Sequence, residues 1–353
     1  MTEKIMVLTQ AQRKKKKTQL EGLKILENVL SNLVKNGLGI VKTEYVQQEV
    51  THAITAMGQY YLPGAQWLLH ELLLDEPQTD CKLLIKSGEI AAIKKMHALL
   101  KHGRTYIEDH LNRQELATSD FTVMEEWLGH AWRFKELESL GLVEEDTEYV
   151  QLAFHHEAHE AREDLVDQGY WLCPGKEDVY LTKHYIPMKA KSRVKRQDSC
   201  HKVVMPATTC RYPGDLNPRI RWQSATEREI NNLDLAAIRK SGQSSLSHLL
   251  TKAKKHLTSP LAHPYPAFLW KAHRVGLIDD QVVLEDEHQD RLRVNWPMDK
   301  TWPVIRENAT IALGGAIKGD ALLLLLFYNE QRGEIQACPL SLVNEKHLVR
   351  FVT

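Results

Sequence analysis

The stretch from Gln19 to Leu38 constrains this chain most, because it reads as one complete amphipathic helix. Leu23, Leu26, Leu30 and Leu33 recur at three- and four-residue spacings and fall on a single stripe. Asn36-Gly37 then offers a left-handed stop. Helical periods continue to Leu140, punctuated by Pro63-Gly64, Glu76-Pro77, Ser87-Gly88 and His102-Gly103. Helices are therefore expected over 18–36, 43–58, 64–75, 88–101, 104–116 and 120–140. Short connections favour antiparallel packing into a helical bundle or an irregular helical array. No fixed tetratricopeptide or armadillo period is present, which argues against a solenoid.

The texture changes near Glu148. Tyr149-Val150-Gln151-Leu152-Ala153-Phe154, Tyr170-Trp171-Leu172, Val179-Tyr180-Leu181 and His201 to Met205 are rich in strand formers, and Cys173-Pro174-Gly175 and Tyr212-Pro213-Gly214 supply turns between them. A small central antiparallel sheet is expected. Thr226-Glu227-Arg228-Glu229 matches a capping box, so helices should resume there. Their apolar pattern runs through Leu233, Leu235 and Ile238, then Leu246, Leu249 and Leu250, until Pro260, Pro264 and Pro266 interrupt it. After Ala267 to Val275 come strands at 281–285, 291–295, 321–328 and 334–338, the last pair joined through Arg332-Gly333. The five leucines between Ala321 and Tyr328 fit a buried strand. The fold class is α+β, with a basic segment at 1–17, a helical domain at 18–145, a small β-rich domain at 146–223 and a helical then β domain at 224–353.

With 353 residues there is room for two or three domains and a sizeable core. Basic and acidic residues balance at 46 each, so no global field holds the chain on nucleic acid or an anionic membrane, and any such contact must be local. Five cysteines, Cys81, Cys173, Cys200, Cys210 and Cys338, are odd in number and widely spaced, which suits a reducing cytosol better than a disulfide framework. No apolar signal core precedes the basic run Arg13 to Lys17, and no apolar segment approaches the roughly 18 residues that span a bilayer. A soluble cytoplasmic protein is the expectation, with no membrane partner.

Chemical motifs are few. His155-His156-Glu157-Ala158-His159-Glu160 is the densest set of potential metal ligands, and on a helix His155 and His159 would share a face. The zincin order is missing and no third ligand is fixed, so a solvated loop or edge is the competing reading. On that reading His155→Ala leaves stability within about ±0.5 kcal/mol. Cys173, Cys200-His201 and Cys210 fit no closed zinc pattern, and Cys81 and Cys338 read as small buried hydrophobes. Gly314-Gly315-Ala316-Ile317-Lys318-Gly319 lacks the lysine and hydroxyl residue of a phosphate loop and reads as a turn between strands. Lys240-Ser241-Gly242-Gln243-Ser244-Ser245 looks like a loop and helix cap, not a nucleophile elbow.

Basic clusters carry more. Lys189-Ala190-Lys191-Ser192-Arg193-Val194-Lys195-Arg196 lies close in sequence to Arg211, Arg219 and Arg221, with Tyr212 and Trp222 interleaved. Lys191, Arg193, Lys195, Arg196, Arg211, Arg219 and Arg221 could contact phosphates while the aromatics stack on bases, and a solvated loop is the alternative. Arg13 to Lys17 reads as a frayed helix start or linker end that could also touch a polyanion.

Several short matches point to a family. They are Glu21-Gly22-Leu23-Lys24-Ile25-Leu26, Leu33-Val34-Lys35-Asn36-Gly37-Leu38, Leu62-Pro63-Gly64-Ala65, Glu163-Asp164-Leu165 with Gln168-Gly169-Tyr170-Trp171-Leu172, Tyr212-Pro213-Gly214 with Asn217-Pro218-Arg219, and Pro339-Leu340-Ser341. In this order they resemble the region that follows the zinc finger in bacterial SWIM zinc finger family proteins. The resemblance implies a helical region, a central β region and a helical to β tail, together with ATPase and von Willebrand A-type protein partners. The finger itself needs Cys-x-Cys followed by Cys-x-His, and this chain has no Cys-x-Cys, so no zinc ligand carries over.

The leading functional expectation is a non-enzymatic interaction or adaptor protein without catalytic residues, metal or cofactor. The alternatives are nucleic-acid binding through residues 189–221 and a metal-dependent hydrolase centred on His155 and His159, with Glu160 beside them.

Overall fold

The computed structural model describes residues 4–74, 87–214, 216–279, 281–296 and 306–352. Glu76-Pro77 and Cys81 lie outside them. The architecture is α+β, as expected, and the chain divides into two compact units. The first comprises Met1–Gly141, Glu160–Arg162 and Ser259–Leu261, and the second comprises Leu142–His159, Glu163–Thr258 and Ala262–Thr353. The central β-rich stretch 146–223 is therefore not set apart from 224–353.

The first unit is built on α1 (Gln10–Asn36), α2 (Glu44–Gln59), α3 (Pro63–Leu73) and α4 (Ser87–Asn112), with the short strands β1 (Ile5–Met6) and β2 (Leu116–Ala117) paired antiparallel. Two short helices, α5 (Met124–Trp127) and α6 (Phe134–Ser139), stand where one helix over 120–140 was expected. The leucine stripe of α1 is buried, with Leu23 and Leu26 fully enclosed beside Val50, Met57, Leu69 and Leu99.

Two further features of this unit depart from the sequence reading. The basic run at 13–17 is no frayed segment, because α1 starts at Gln10 behind a capping box in which Gln12 N–H donates to Thr9 Oγ1 (3.2 Å) and Thr9 N–H to Gln12 Oε1 (2.8 Å). Three of its five cations are used internally: Arg13 donates to the carbonyls of Leu111 and Arg113, Lys15 to that of Gly129, and Lys16 to the Glu125 carboxylate, while Lys14 and Lys17 are exposed. The break expected at His102-Gly103 does not occur either. A helical glycine costs about 1 kcal/mol against alanine, but Gly103 faces Leu99, Met124 and Leu128 at contact distance, and that packing outweighs propensity. Gly64 is needed for another reason, since a Cβ there would come within 2.3 Å of the Trp127 carbonyl oxygen.

The second unit begins with β3 (Val143–Glu145), β4 (Tyr149–His159), β5 (Asp164–Leu172), β6 (Val179–Pro187), β7 (Lys202–Pro206), β8 (Thr208–Arg211), β9 (Ile220–Arg221) and β10 (Ala225–Glu229). Helices α7 (Asn232–Ser241) and α8 (Leu246–Leu257) follow, then β11 (Ala267–Lys271), β12 (Arg274–Ile278), β13 (Gln281–Glu285), β14 (Arg291–Arg293), α9 (Arg306–Gly314), β15 (Ala321–Asn329), β16 (Glu334–Val343) and β17 (Leu348–Arg350). They form antiparallel sheets of order β10-β7-β4-β5-β6, β11-β15-β16-β17, β12-β13-β14 and β3-β8-β9. Thr226 caps no helix, because residues 225–229 pair with β7; the cap comes at Asn231, whose side chain accepts from Leu233 N–H and Asp234 N–H. Ser245 caps α8 as the loop-and-cap reading expects. Gly314 to Gly319 joins α9 to β15 and so follows a helix, not a strand.

Strand β15 explains its own composition. Leu322, Leu324 and Leu326 enter a core with Leu246, Leu249, Leu284 and Leu313, while Leu323, Leu325 and Phe327 enter a second core with Val150, Leu172, Leu235 and Ile238. Both faces of the strand are buried, which removes the usual alternation. Pro339 opposes Leu324 at a register shift in the β15–β16 ladder, where a missing N–H is tolerated.

Candidate functional site

Residues 155–160 do not form a helix. From Ala153 to His159 the β4 ladder pairs without interruption with β5, so successive side chains alternate between the two faces of the sheet. His155, Glu157 and His159 share one face and His156 takes the other. A histidine spacing of four satisfies a strand as well as a helix, which is why it could not choose between them.

On the first face the Glu157 carboxylate lies 3.9 Å from His155 Nε2 and 3.4 Å from His159 Nε2. Burial pushes the Glu157 carboxyl up, yet the nearby His155 and His159 rings outweigh this and hold it well below the ordinary carboxylate range. His155 is fully buried and stacks on Tyr170 with ring centroids 5.8 Å apart, so the solvated-loop reading is corrected. Among the described residues, no group of three or more His, Cys, Asp or Glu side chains is placed to hold a metal ion.

On the second face a row of directly opposed residues crosses three strands: His156 on β4, Asp167 on β5 and His184 on β6. Asp167 is fully buried and accepts from four donors. These are His156 Nδ1 (2.8 Å), His184 Nδ1 (3.5 Å), Arg196 Nε (2.5 Å) and the Gln197 backbone N–H (2.7 Å). Burial raises the Asp167 carboxyl, and the Gln197 amide with His156 and Arg196 brings it below its ordinary value. Nothing in the sequence pairs Asp167 with residues 11, 17 and 29 positions away; only strand register does.

The basic residues sort into three groups. Lys191, Arg193 and Lys195 are exposed on the segment between β6 and β7. Arg196 is drawn onto Asp167, and the Arg219 guanidinium lies 4.4 Å from the Tyr212 ring and 5.5 Å from the Tyr185 ring. Arg211 is half-buried on β8 and Arg221 exposed on β9. Neither aromatic is open to a base: Tyr212 is buried, and Trp222 stacks on Tyr149 (5.9 Å) and meets Trp171 edge-on (5.1 Å). The base-stacking half of the polyanion expectation is thereby removed.

A further surface, unremarked in the sequence, lies at β12. This strand is at the end of its sheet, and among the described residues its outer edge pairs with nothing. Leu277 is 68% and Ile278 42% exposed; α9 packs beside the strand, with Ile311 76% exposed on it and Ile317 63% exposed just beyond. The edge strand β10 differs, carrying Glu227, Arg228 and Glu229. Charges of that kind protect an edge from strand addition.

No protein-family model and no curated protein matches this chain. Among solved structures, a murine DNA-binding protein bound to double-stranded DNA is similar at a TM-score of 0.23 and 11% identity, over 60% of this chain and 96% of that one. Another, described as the molecular basis for abrogation of activation of pro-inflammatory cytokines, is similar at a TM-score of 0.22 and 10% identity, over 58% of this chain and 94% of that one. Scores this low establish no common fold, and what those proteins bind is said of them alone. Among the described residues no helix is long and apolar enough to cross a membrane.

Proposed function

We propose that this chain is a non-enzymatic, cytoplasmic protein-interaction subunit that receives an extended segment of a protein partner along β12. The β12 edge, unpaired among the described residues and with Leu277 and Ile278 exposed on the strand, carries the reading. In strand addition the main-chain groups of the edge supply hydrogen bonds, and side chains alternating along the added strand supply selectivity. Ile311 on the neighbouring α9 and Ile317 just after it are exposed apolar residues too, and contiguous exposed apolar surface is what marks interaction sites. The partner is a protein with alternating apolar residues in an extended segment. The resemblance to SWIM zinc finger family proteins adds ATPase and von Willebrand A-type proteins as the classes to test first. A reducing compartment accords with Cys173, Cys200, Cys210 and Cys338, none of which forms a disulfide among the described residues.

The test is affinity capture from cells that encode the chain, using the full-length protein and a Leu277→Lys, Ile278→Lys variant, with melting curves for both. A defined partner held by the first and lost from the second, at unchanged melting temperature, is the expected result. Equal capture by both would remove β12 from the reading, and robust turnover of a substrate would replace the reading with an enzymatic one.

A further inference from the structure

Residues 188–201 connect β6 to β7 with one short 3-10 turn at Met188–Ala190, and the segment is tied down on both sides of its central cations. Met188 N–H donates to the Glu163 carbonyl (2.7 Å), and a turn within the segment is closed by Val194 N–H donating to the Ala190 carbonyl (3.1 Å). Arg196 Nε and Gln197 N–H are held by Asp167, and Cys200 N–H donates to Gln151 Oε1 (2.7 Å). Arg350 closes the end by donating to the Cys200 carbonyl (2.5 Å). Between these anchors Lys191, Arg193 and Lys195 project at alternate positions, exposed and without an ion pair among the described residues. Flanking cations are spent: Lys189 pairs with Glu163 at 3.2 Å and Lys202 with Glu227 at 3.2 Å.

A solvated loop needs no such anchoring. Burying the Asp167 carboxylate is costly, and the charge-assisted hydrogen bonds of its donors offset that cost; two of them, Arg196 Nε and Gln197 N–H, hold the segment immediately after the three cations. Cations held in place lose less freedom on binding than cations on a mobile loop. The strip offers charge with little apolar surface, since Val194 is half-buried and Ser192 is small and polar. A protein partner would want an apolar anchor at the centre of its interface, whereas a phosphodiester chain is bound by charge and counterion release alone.

We propose that Lys191, Arg193 and Lys195 form a binding strip for the phosphodiester backbone of nucleic acid, independent of base sequence, and that Asp167 is the positioning residue that presents it. The proposal stands apart from the β12 edge and does not depend on it.

The experiment titrates the full chain against a fluorescent 20-nucleotide duplex DNA and its single strand between 50 and 200 mM salt. Three duplex phosphate contacts give a slope of about −2.7 in log affinity against log salt, roughly a 40-fold loss across that range. Lys191→Ala, Arg193→Ala and Lys195→Ala together should weaken binding at least about tenfold and flatten the slope. Asp167→Asn separates positioning from charge. It removes a negative charge beside the strip, so electrostatics alone would tighten binding, while loss of the clasp weakens it. Gln197→Pro deletes the amide donor to Asp167, leaves every charge in place, and should weaken binding too, with circular dichroism confirming that each variant is folded. Wild-type affinity in the triple variant overturns the strip. Binding of poly-glutamate but not DNA, lost in that variant, overturns the phosphodiester assignment. Tighter binding by both Asp167→Asn and Gln197→Pro overturns the positioning role.

Discussion

The least expected side chain in the molecule is Lys16, one of a run of four lysines. Its Nζ donates to Glu125 Oε1 at 2.8 Å, with the two side chains only 8% and 6% exposed. Tyr106 donates to the same oxygen at 3.1 Å, and His110 and His130 stand within 3.7 Å of the carboxylate. Burial pushes the Glu125 carboxyl up, but Lys16 outweighs it and holds the group below its ordinary value. Removing one partner of a buried pair strands the other, which costs about 3–5 kcal/mol. Lys16→Met should therefore lose stability of that order in urea unfolding, and a loss under about 1 kcal/mol would show that water reaches the pair. His155→Ala calls for the opposite of its sequence-based expectation. A fully buried ring stacked on Tyr170 should cost about 2–4 kcal/mol on deletion, as large-to-small core substitutions do, and equilibrium denaturation measures it.

Among the secondary elements, helix caps show where local pattern reached its limit. Thr226-Glu227-Arg228-Glu229 and Asn231 to Asp234 both satisfy the spacing of a capping box, and only the second caps a helix, because residues 225–229 have β7 as a ladder partner. Arg228 on that strand donates to Asp234 at 2.7 Å and pairs with Glu148, drawing the strand and the helix start together. Asn231→Ala is expected to cost about 1 kcal/mol, while Thr226→Ala, at an exposed strand position, should stay within about 0.5 kcal/mol. Thermal melts of the two variants decide it, and equal losses would contradict the assignment. β15 was legible for a converse reason: nine residues dominated by leucine, followed by a turn, are too short for a free-standing helix and too apolar for an exposed strand.

For the chain as a unit of stability, the depressed groups set the acid response. Glu125, Asp167 and Asp234 all sit below their ordinary values. Groups of that kind contribute stability that is complete above the unfolded carboxylate range of about 4 and is lost as pH falls through their folded values. Two histidines act earlier. Burial, then Lys183, pushes His263 down to about 3, and burial, then Lys16, lowers His110. Each is neutral in the folded protein while its unfolded counterpart takes a proton near pH 6.5, so this stability also declines as pH falls. Melting temperature should hold level above about pH 7, slope gently downward from about 6.5 and drop steeply below about 4. His263→Asn should reduce the gentle limb and spare the steep one. Stability that rises between pH 6.5 and 5 would contradict this account.

Local pattern alone was enough to place the leucine stripe of α1, the strand character of 149–154, 179–181 and 321–328, and the cap at Ser245. Each depends on periodicity or on groups within a few residues of one another, and such signals survive in a linear chain. Long-range contact decided the rest. Whether Arg13 to Lys17 was a loose cationic end or a helix turned onto Glu125 depended on a carboxylate more than a hundred residues away. Whether His155 and His156 shared an environment depended on a strand, whose period of two sends neighbours to opposite faces. That one of the seven candidate basic residues, Arg196, is drawn onto a buried carboxylate depended on the β4–β5–β6 register, which sets Asp167 between His156 and His184. A pairing register is a property of two strands at once, fixed by which faces find a core, and no single stretch of sequence contains it.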